Sequence, residues 1–451
     1  MMMTTTKKVS TLKLRLLASG CALLLCFGAV AQPVGLPDDA LEPRDDGEVL
    51  QPQDEAVEPA ITAYRVGKVI TMNDADAVIN NAVVLVADGK ILKVGRASEI
   101  EIPARATIID MPDCWLAPGL VEGHNHINAD SGDLHDYVYL TNPGLRTLDS
   151  VDTENESIER ARAGGVTSAL LISGSGTNMS GLGTMVKMSG GSTDDSVFKF
   201  PASIKIAQAG NPERYWYGVG RSMMNYNTRH TLMQALEYHQ RWEAYEGGQS
   251  SEQPAFDPTY DDFRGLFRGE FVASVHTQQY QVVMTTLDML ASGKNGFKLR
   301  TVLDHSTFDG FKTAPLVREM SDNVVTINGP RQFWFDRSQR RVYGNAARWW
   351  QGNVGLLGVN TDSPVVPQEE LSYQAAMGCW YGWSPYQALK GVTRAPAEAL
   401  MVDDRVGSIQ PGKDADFGIW SGDPIDPRST CWITVVNGKI VHDSRTGIRR
   451  F

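Results

Sequence analysis

Two patterns of hydrophobic and polar residues follow one another along the chain. From residue 61 onward, short runs rich in Val and Ile are separated by turn residues such as Asp88-Gly89, and the same texture returns over 416–441. This pattern is typical of β-hairpins. Between them, over about 118–400, short apolar runs alternate with stretches of helical periodicity. The pattern predicts one small β domain, built from 61–117 and 401–451, around an α/β middle.

Eight apolar runs of the middle are predicted strands. They cover residues 120–126, 166–172, 184–188, 202–207, 270–276, 299–305, 324–327 and 354–361. Helical patterns separate several of them, for example over 157–163, 231–245 and 278–291. Alternating strands and helices give parallel strands with right-handed crossovers. Eight such units predict a TIM-like (β/α)₈ barrel over 118–400, with a doubly wound open sheet as the alternative.

The N-terminus carries the pattern of an export signal. Residues 1–31 contain four basic residues and no acid, and an apolar run over 16–30 ends in Ala29-Val30-Ala31. A basic start, a short apolar stretch and small residues before a cleavage point are typical of a secretory signal peptide. We expect 1–31 to be removed, the protein to be periplasmic or secreted, and no stable membrane insertion after cleavage.

Most of the negative charge lies in the next segment. The formal net charge of the chain is −11, from 42 Lys and Arg against 53 Asp and Glu. Residues 33–60 hold nine acids against Arg44, five prolines and no aromatic residue, which predicts a disordered acidic spacer over 32–60. The acidic balance argues against nucleic-acid binding, because phosphates need clustered Lys and Arg.

Candidate metal ligands stand at the ends of predicted strands. They are His124, His126, His276, His305 and Asp362. The first two are an i, i+2 pair, so both rings point to one face of their strand. In a barrel the carboxyl ends of the strands meet on the catalytic face, so ligands distant in sequence converge there. Imidazole and carboxylate groups are zinc ligands, and the pattern predicts a divalent metal site.

At these positions the sequence resembles the metal-dependent amidohydrolase superfamily. The resemblance rests on PGLVEGHNH at 118–126, GVT at 165–167, TDSP at 361–364 and RVGSIQPGKDADF at 405–417. It covers roughly 61–451 and is closest to the imidazolonepropionase-related branch, which also includes secreted or periplasmic members. It implies a distorted barrel with a β-sandwich, one or two divalent metal ions and hydrolysis of a C–N bond in a small molecule.

The resemblance also implies roles for the site residues. His124, His126, His276, His305 and Asp362 become metal ligands, with zinc the favoured ion. Asp362 is the expected general base, and His305 is either a ligand or a group that stabilises the oxyanion. The expected substrate is a cyclic amide, an N-acyl amino acid or a dipeptide-like molecule. The alternatives are a metallo-dipeptidase and a catalytically silent relative that serves as a metal-binding or scaffold protein.

Two lysines are candidates for a ligand that bridges two metal ions. Binuclear relatives use a carboxylated Lys, and Lys205 occupies the corresponding place in the strand 202–207, with Lys187 as a competitor from 184–188. A buried Lys is costly unless it is neutralised, which favours a carbamate beside a metal ion. The motif Gly-Glu-Asn-Pro of many relatives is Ala-Gly-Asn-Pro here, at 209–212, so a single metal ion stays an alternative.

Two further segments have unusual compositions. The Gly- and Ser-rich run 173–191 lacks the order of a nucleotide P-loop, so no organic cofactor is predicted, and we expect either a substrate wall or a flexible loop. The segment 334–350 interleaves aromatic residues with four arginines. A surface helix with solvent-facing arginines is favoured there over an Arg that holds a substrate carboxylate. No pattern identifies an oligomer interface, and a homo-oligomer is left open.

Overall fold

The computed structural model describes residues 60–130, 132, 134, 139–208 and 219–445. The expected signal peptide, the acidic spacer up to residue 59 and the motif 209–212 lie outside these ranges. Within them, no helix is both long enough and apolar enough to span a membrane.

The described part of the chain contains seventeen strands. They are β1 Thr62–Ile70, β2 Val78–Ala87, β3 Lys90–Arg96, β4 Thr107–Pro118, β5 Leu120–Asn125, β6 Val166–Leu171, β7 Met179–Lys187, β8 Val197–Ala207, β9 Val272–Thr277, β10 Thr301–His305, β11 Val324–Asn328, β12 Phe333–Asp336, β13 Arg341–Gly344, β14 Leu357–Val359, β15 Phe417–Trp420, β16 Cys431–Val436 and β17 Lys439–Asp443.

Ten α-helices accompany them in the same ranges. They are α1 Glu156–Ala163, α2 Thr193–Ser196, α3 Arg221–Glu246, α4 Phe263–Arg268, α5 Tyr280–Thr286, α6 Ala314–Glu319, α7 Asn345–Gln351, α8 Leu371–Trp380, α9 Pro385–Lys390 and α10 Arg394–Ala399. A π-helical turn, Leu287–Ala291, prolongs α5. Helix α1 begins where the Asn155 side chain accepts hydrogen bonds from the backbone N–H groups of Ser157 and Ile158.

Strands from both ends of the chain share one seven-stranded sheet. Its order is β17-β16-β15-β4-β1-β2-β3, with β15 antiparallel to β4 so that Ile419 faces Leu116. Asp88 and Gly89 join β2 to β3 with φ angles of 49° and 73°, the left-handed pair that a tight two-residue hairpin requires. The sequence predicted this hairpin and the shared sheet, while the packing of the sheet as a two-layered sandwich stays a prediction.

The middle of the chain forms a nearly closed sheet of eight strands. Its order is β5-β6-β7-β8-β9-β10-β11-β14, and each of the eight runs predicted from the sequence overlaps one of these strands. A bridge between Asn125 and Ser363 joins the two ends of the sheet beyond β5 and β14. The result is a TIM-like barrel in which the carboxyl ends of most strands share one rim.

One strand contradicts the predicted (β/α)₈ alternation. Strand β7 runs antiparallel to both β6 and β8, whereas the other neighbouring pairs are parallel. The physical reason is the length of the connections. Only residues 172–178 join β6 to β7, and only 188–196 join β7 to β8. A parallel crossover needs a dozen or more residues, so these short links allow only an antiparallel strand.

The compositional runs 173–191 and 334–350 also fold differently from the expectation. Residues 173–188 are all buried and include β7, so this run is barrel wall and not a flexible loop. The second run is not one surface helix, because β12 and β13 form an antiparallel hairpin there before α7 begins. Four-residue strands are too short for their periodicity to be distinguished from a helical pattern.

Candidate metal centre

Strand β5 brings the first two candidate ligands to the rim. Alternation along the strand places His124 and His126 on the same side of the backbone. The His124 ring is 1% exposed, with Nδ1 3.1 Å from Oδ2 of Asp304 and Nε2 3.4 Å from Oδ1 of Asp362. Burial, and then the nearby Lys205, lower the pKa of His124 to about 3. The ring is therefore neutral, which is the form that binds a metal ion.

His126 points its other nitrogen at the same carboxylate. Its Nε2 is 3.3 Å from Oδ1 of Asp362, and its Nδ1 is 2.6 Å from the carbonyl oxygen of Ile172. A carbonyl can only accept, so Nδ1 carries the proton and the lone pair is on Nε2. Such a backbone contact fixes the orientation and the tautomer of a metal-binding His.

Asp362 and His305 both stand on left-handed backbone just beyond or at the end of their strands. Their φ angles are 50° and 66°, a conformation that costs energy for residues other than Gly. Burial raises the pKa of Asp362, but the imidazoles of His305, His124 and His126 bring it well below its usual range. The carboxylate is therefore ionised and able to accept a proton or bind a cation.

His305 and His276 add two buried rings to the cluster. The His305 ring centroid is 4.7 Å from that of His124 and 4.7 Å from that of His276. His305 Nδ1 is 3.0 Å from the carbonyl oxygen of Gly329, whereas its Nε2 is buried without a hydrogen-bond partner in the described structure. Burial holds the pKa of His276 well below its usual value, so this ring is also neutral.

These donors fit a divalent cation. His124, His305 and Asp362 each offer one ligand atom, and the three atoms lie within 4.8 Å of one another. A buried imidazole nitrogen without a partner costs free energy, and a metal ion would remove that cost. His126 and His276 border the same cluster through the contacts given above. All five residues expected at the rim are therefore found together there.

The structure separates the two candidate lysines. Lys205 in β8 is fully buried, and its Nζ is 3.1 Å from Nε2 of His124. Lys187 is at the opposite end of the barrel, because β7 runs antiparallel, and its Nζ contacts Asp414 at 2.9 Å and also Asp416. Lys187 is thus wrong as a candidate ligand. Its direction could not be deduced before the short connections were known to lack a crossover.

Two carboxyl groups behind the rim were not among the expected site residues. Glu122, fully buried in β5, accepts hydrogen bonds from the backbone N–H and hydroxyl of Thr361, at 2.9 and 2.6 Å, and from the His124 N–H. Burial raises the pKa of Glu122 to about 8. Its position two residues before His124 was the available signal. Asp304 accepts a hydrogen bond from Ser274 and lies beside His124.

Cavities open beside the rim where the strand-following loops begin. One of about 370 Å³ is lined by Tyr280, Phe308, Asp309 and Trp334, among others, from the segments after β9, β10 and β11. Another of about 340 Å³ is lined in part by Ser173, next to the Ile172 carbonyl that holds His126. Both cavities are large enough for a small organic molecule.

A model of the amidohydrolase family matches residues 382–442 of the chain. The solved structure of an amidohydrolase from Thermotoga maritima MSB8 superposes with a TM-score of 0.72 and 26% identity, over 85% of this chain and 100% of that one. The chain is therefore similar to the amidohydrolase family and to its imidazolonepropionase-related branch. Imidazolonepropionase from Klebsiella pneumoniae is 22% identical over 84% of this chain and 98% of its own length.

A second curated relative is much longer than this chain. Amidohydrolase tasK from Hapsidospora irregularis is 25% identical over 386 residues, which cover 76% of this chain but only 38% of tasK. The chain thus spans well under half of the length of this relative.

Proposed function

We propose that the protein is a metal-dependent hydrolase of a C–N bond in a small molecule, either a cyclic amide, an N-acyl amino acid or a dipeptide-like compound. The observation that carries this is the convergence of His124, His305 and Asp362, with a buried, unpartnered imidazole nitrogen on His305, in a chain that is similar to the amidohydrolase family.

The residues at the rim would hold one or two divalent ions. The ligands are His124, His126, His276, His305 and Asp362, and their nitrogen and oxygen atoms suit zinc. If two ions bind, a carboxylated Lys205 is the bridging group, since burial lowers its pKa and favours the neutral amine that reacts with carbon dioxide. When bound, the metal supplies water of lowered pKa and polarises the scissile carbonyl.

Asp362 is the proton acceptor and donor of the reaction. Its carboxylate is ionised in the free site, so it takes a proton from the attacking water and passes it to the leaving nitrogen. Glu122 fixes the backbone at Thr361, the residue before Asp362, and so positions this base. His305 either binds the metal or stabilises the developing oxyanion, while Asp304 orients the His124 ring.

The wider setting belongs to the same proposal. Residues 1–31 are a cleaved signal and 32–60 a spacer, and the enzyme works in the periplasm or outside the cell. The hydrolytic barrel is 118–400, and 61–117 with 401–451 is a composite β-sandwich. The shared sheet of β1–β4 and β15–β17 supports this division.

The test is hydrolysis of N-acyl amino acids, dipeptides and cyclic amides by zinc-loaded protein, with metal content measured on the same samples. We expect turnover of at least one class, and Asp362→Asn to be slower by roughly 10²–10⁴-fold through the loss of general base catalysis. The control is Asp288→Asn, an exposed carboxylate next to Lys294. An Asn variant as fast as the wild type would show that Asp362 is not the base.

The outcomes also separate the alternatives. Full metal occupancy without turnover of any substrate class would contradict the proposed hydrolase activity and favour a catalytically silent metal-binding relative. Turnover confined to dipeptides would identify a metallo-dipeptidase.

A further inference from the structure

The chain adopts a left-handed conformation at the carboxyl end of β10. The φ angles of His305, Ser306 and Phe308 are 66°, 45° and 54°. This conformation costs energy for residues other than glycine, and three such residues within four positions persist only where their surroundings stabilise them. We call residues 305–308 the left-handed turn. Because His305 is a candidate metal ligand, the contacts that stabilise this turn also determine where its ring lies.

The neighbouring strand, β11, makes the first of these contacts. The side-chain amide of Asn328 donates a hydrogen bond to the carbonyl oxygen of His305, at 2.6 Å. The Gly329 N–H donates to the same oxygen at 3.2 Å, and the Gly329 carbonyl oxygen is 3.0 Å from Nδ1 of the His305 ring. The Ser306 carbonyl oxygen is less well served, since Nδ2 of Asn328 is 3.3 Å from it, longer than most hydrogen bonds of this type.

A tryptophan from outside the barrel sheet supplies the missing donor. Nε1 of Trp349, in α7, donates to the carbonyl oxygen of Ser306 at 3.0 Å. One helical turn earlier, the side-chain amide of Asn345 donates to the carbonyl oxygen of Arg331 at 2.6 Å. Residues four apart in a helix share one face. The same face of α7 therefore contacts both the segment after β11 and the left-handed turn after β10.

Burial makes the indole hydrogen bond important. Ser306 and Trp349 are both fully buried, so solvent does not supply a replacement donor, and an unpaired buried carbonyl costs free energy. Trp383 offers a comparison within the same hydrophobic cluster. It is also buried, but its Nε1 has no hydrogen-bond partner in the described part of the chain. Trp383 thus contributes volume, whereas Trp349 contributes volume and a directed contact with the left-handed turn.

We propose that Trp349 and Asn328 are positioning residues of the metal centre. Together they stabilise the left-handed turn, and the turn keeps the His305 ring beside His124 and Asp362. Without the indole hydrogen bond, the backbone at Ser306 relaxes from its left-handed conformation and displaces the ring of the residue before it. This inference rests on the proposed function, with His305 as a metal ligand.

The first experiment measures the zinc affinity of the full chain by competition with a chelator. Trp349→Phe keeps an aromatic ring and removes the N–H, and we expect the affinity to fall roughly 10–100-fold, as is usual when the support of a ligand is lost. The matched control Trp383→Phe should bind zinc like the wild type. Asn328→Ala removes the other donor and should also weaken binding, which keeps the test decisive if Trp349→Phe does not fold. Thermal unfolding checks each variant, and wild-type affinity in folded Trp349→Phe or folded Asn328→Ala would overturn the proposal.

Two double variants test whether Trp349 acts through the left-handed turn and His305. In a His305→Ala background, Trp349→Phe should lower the zinc affinity no further, because the residue that it positions is absent. In a Trp349→Phe background, Ser306→Gly should raise the affinity roughly fivefold or more, because glycine adopts left-handed backbone without the steric cost. A full loss in the His305→Ala background, or no recovery with Ser306→Gly, would contradict the proposed route.

A measurement on metal-free protein separates this inference from the proposed function. In histidine-labelled protein, the NMR signal of the His305 ring, identified by its loss in His305→Ala, should shift in Trp349→Phe and not in Trp383→Phe. A wild type that shows this shift but binds no zinc would contradict the proposed metal centre and leave the positioning role intact. A His305 signal that is the same in the wild type and Trp349→Phe would overturn the positioning role.

Discussion

Two fully buried lysines on neighbouring strands have different contacts around their amino groups. Lys187 in β7 contacts the carboxylates of Asp414 and Asp416, so its charge is offset twice. Lys205 in β8 faces the His124 imidazole at 3.1 Å, and no carboxylate oxygen within 4 Å of it is recorded among the described residues. The antiparallel course of β7 places them at opposite ends of the barrel.

The difference separates a structural lysine from one available for chemistry. Asp414 also contacts Lys90 at 2.6 Å and Arg405 at 2.8 Å, and Asp416 immediately precedes β15. Lys187 thus ties the barrel to the segment that returns into the seven-stranded sheet. No such carboxylate contact of Lys205 is recorded among the described residues. Burial lowers the pKa of Lys205 against the opposing charges of Asp304 and Asp362, and a lowered pKa favours the neutral amine that modification or metal binding needs.

Replacement of Lys205 should have the largest effect, and on activity alone. We expect Lys205→Met to reduce hydrolysis by roughly 10³-fold, because several kcal/mol of metal-derived stabilisation depend on an intact site. The melting temperature should stay equal or rise, since an uncompensated buried amine is removed. Steady-state rates, bound metal and thermal unfolding are the measurements, and Lys199→Met in the same strand is the control. Unchanged hydrolysis by Lys205→Met would show that Lys205 has no role in the reaction.

Replacement of Lys187 should do the reverse. Lys187→Met leaves two buried carboxylates without their main partner, and we expect the free energy of unfolding to fall by about 3–5 kcal/mol. The rate per folded molecule should be unchanged, because the site is at the other end of the barrel. Urea denaturation measures the loss. Lys90→Met is the matched control with a smaller effect, since the Lys90 side chain is 46% exposed. A similar loss in both variants would contradict the argument.

Asp304 tests how the metal centre is supported. Burial raises its pKa, but the contact with His124 and the nearby Lys205 bring it well below the usual range, so a negative charge stands behind His124. Asp304→Asn keeps the shape and removes that charge, and we expect metal affinity to fall roughly 10–100-fold. Competition with a chelator measures the affinity. The control Asp309→Asn, on the rim, should bind metal like the wild type. Equal metal affinities in the wild type and both variants would show that Asp304 does not support the metal site.

The smallest effect concerns pH at the Lys187 end. Burial raises the pKa of Asp414, but Lys187 and the neighbouring Lys90 and Arg405 lower it to about 2. A carboxyl with a depressed pKa stabilises the fold above its unfolded value near 3.8, and this contribution is lost as the pH falls through 2. The difference in urea midpoint between wild type and Asp414→Asn should be full at pH 6 and shrink below pH 4. A difference that stays constant down to pH 3 would exclude this linkage.

Much of the fold was predictable because its patterns are local. Each barrel strand is a short apolar run with a clear boundary, and the ligand candidates His276 and His305 are found at or next to strand ends. The direction of β7 depends on the length of its connections, which the run 173–191 obscured. The hairpin of β12 and β13 was missed for a similar reason, since four-residue strands carry too little periodicity.

The sequence by itself determined which residues could serve the site, because alternation along a strand and position at its carboxyl end are properties of the local chain. It also indicated the resemblance to the amidohydrolases and the shared sheet of the two termini. Only the tertiary structure decided that Lys205, and not Lys187, stands beside His124, and that Glu122 and Asp304 support the rim. Such choices depend on strand direction and on contacts between residues far apart in the chain, and no local pattern carries that information.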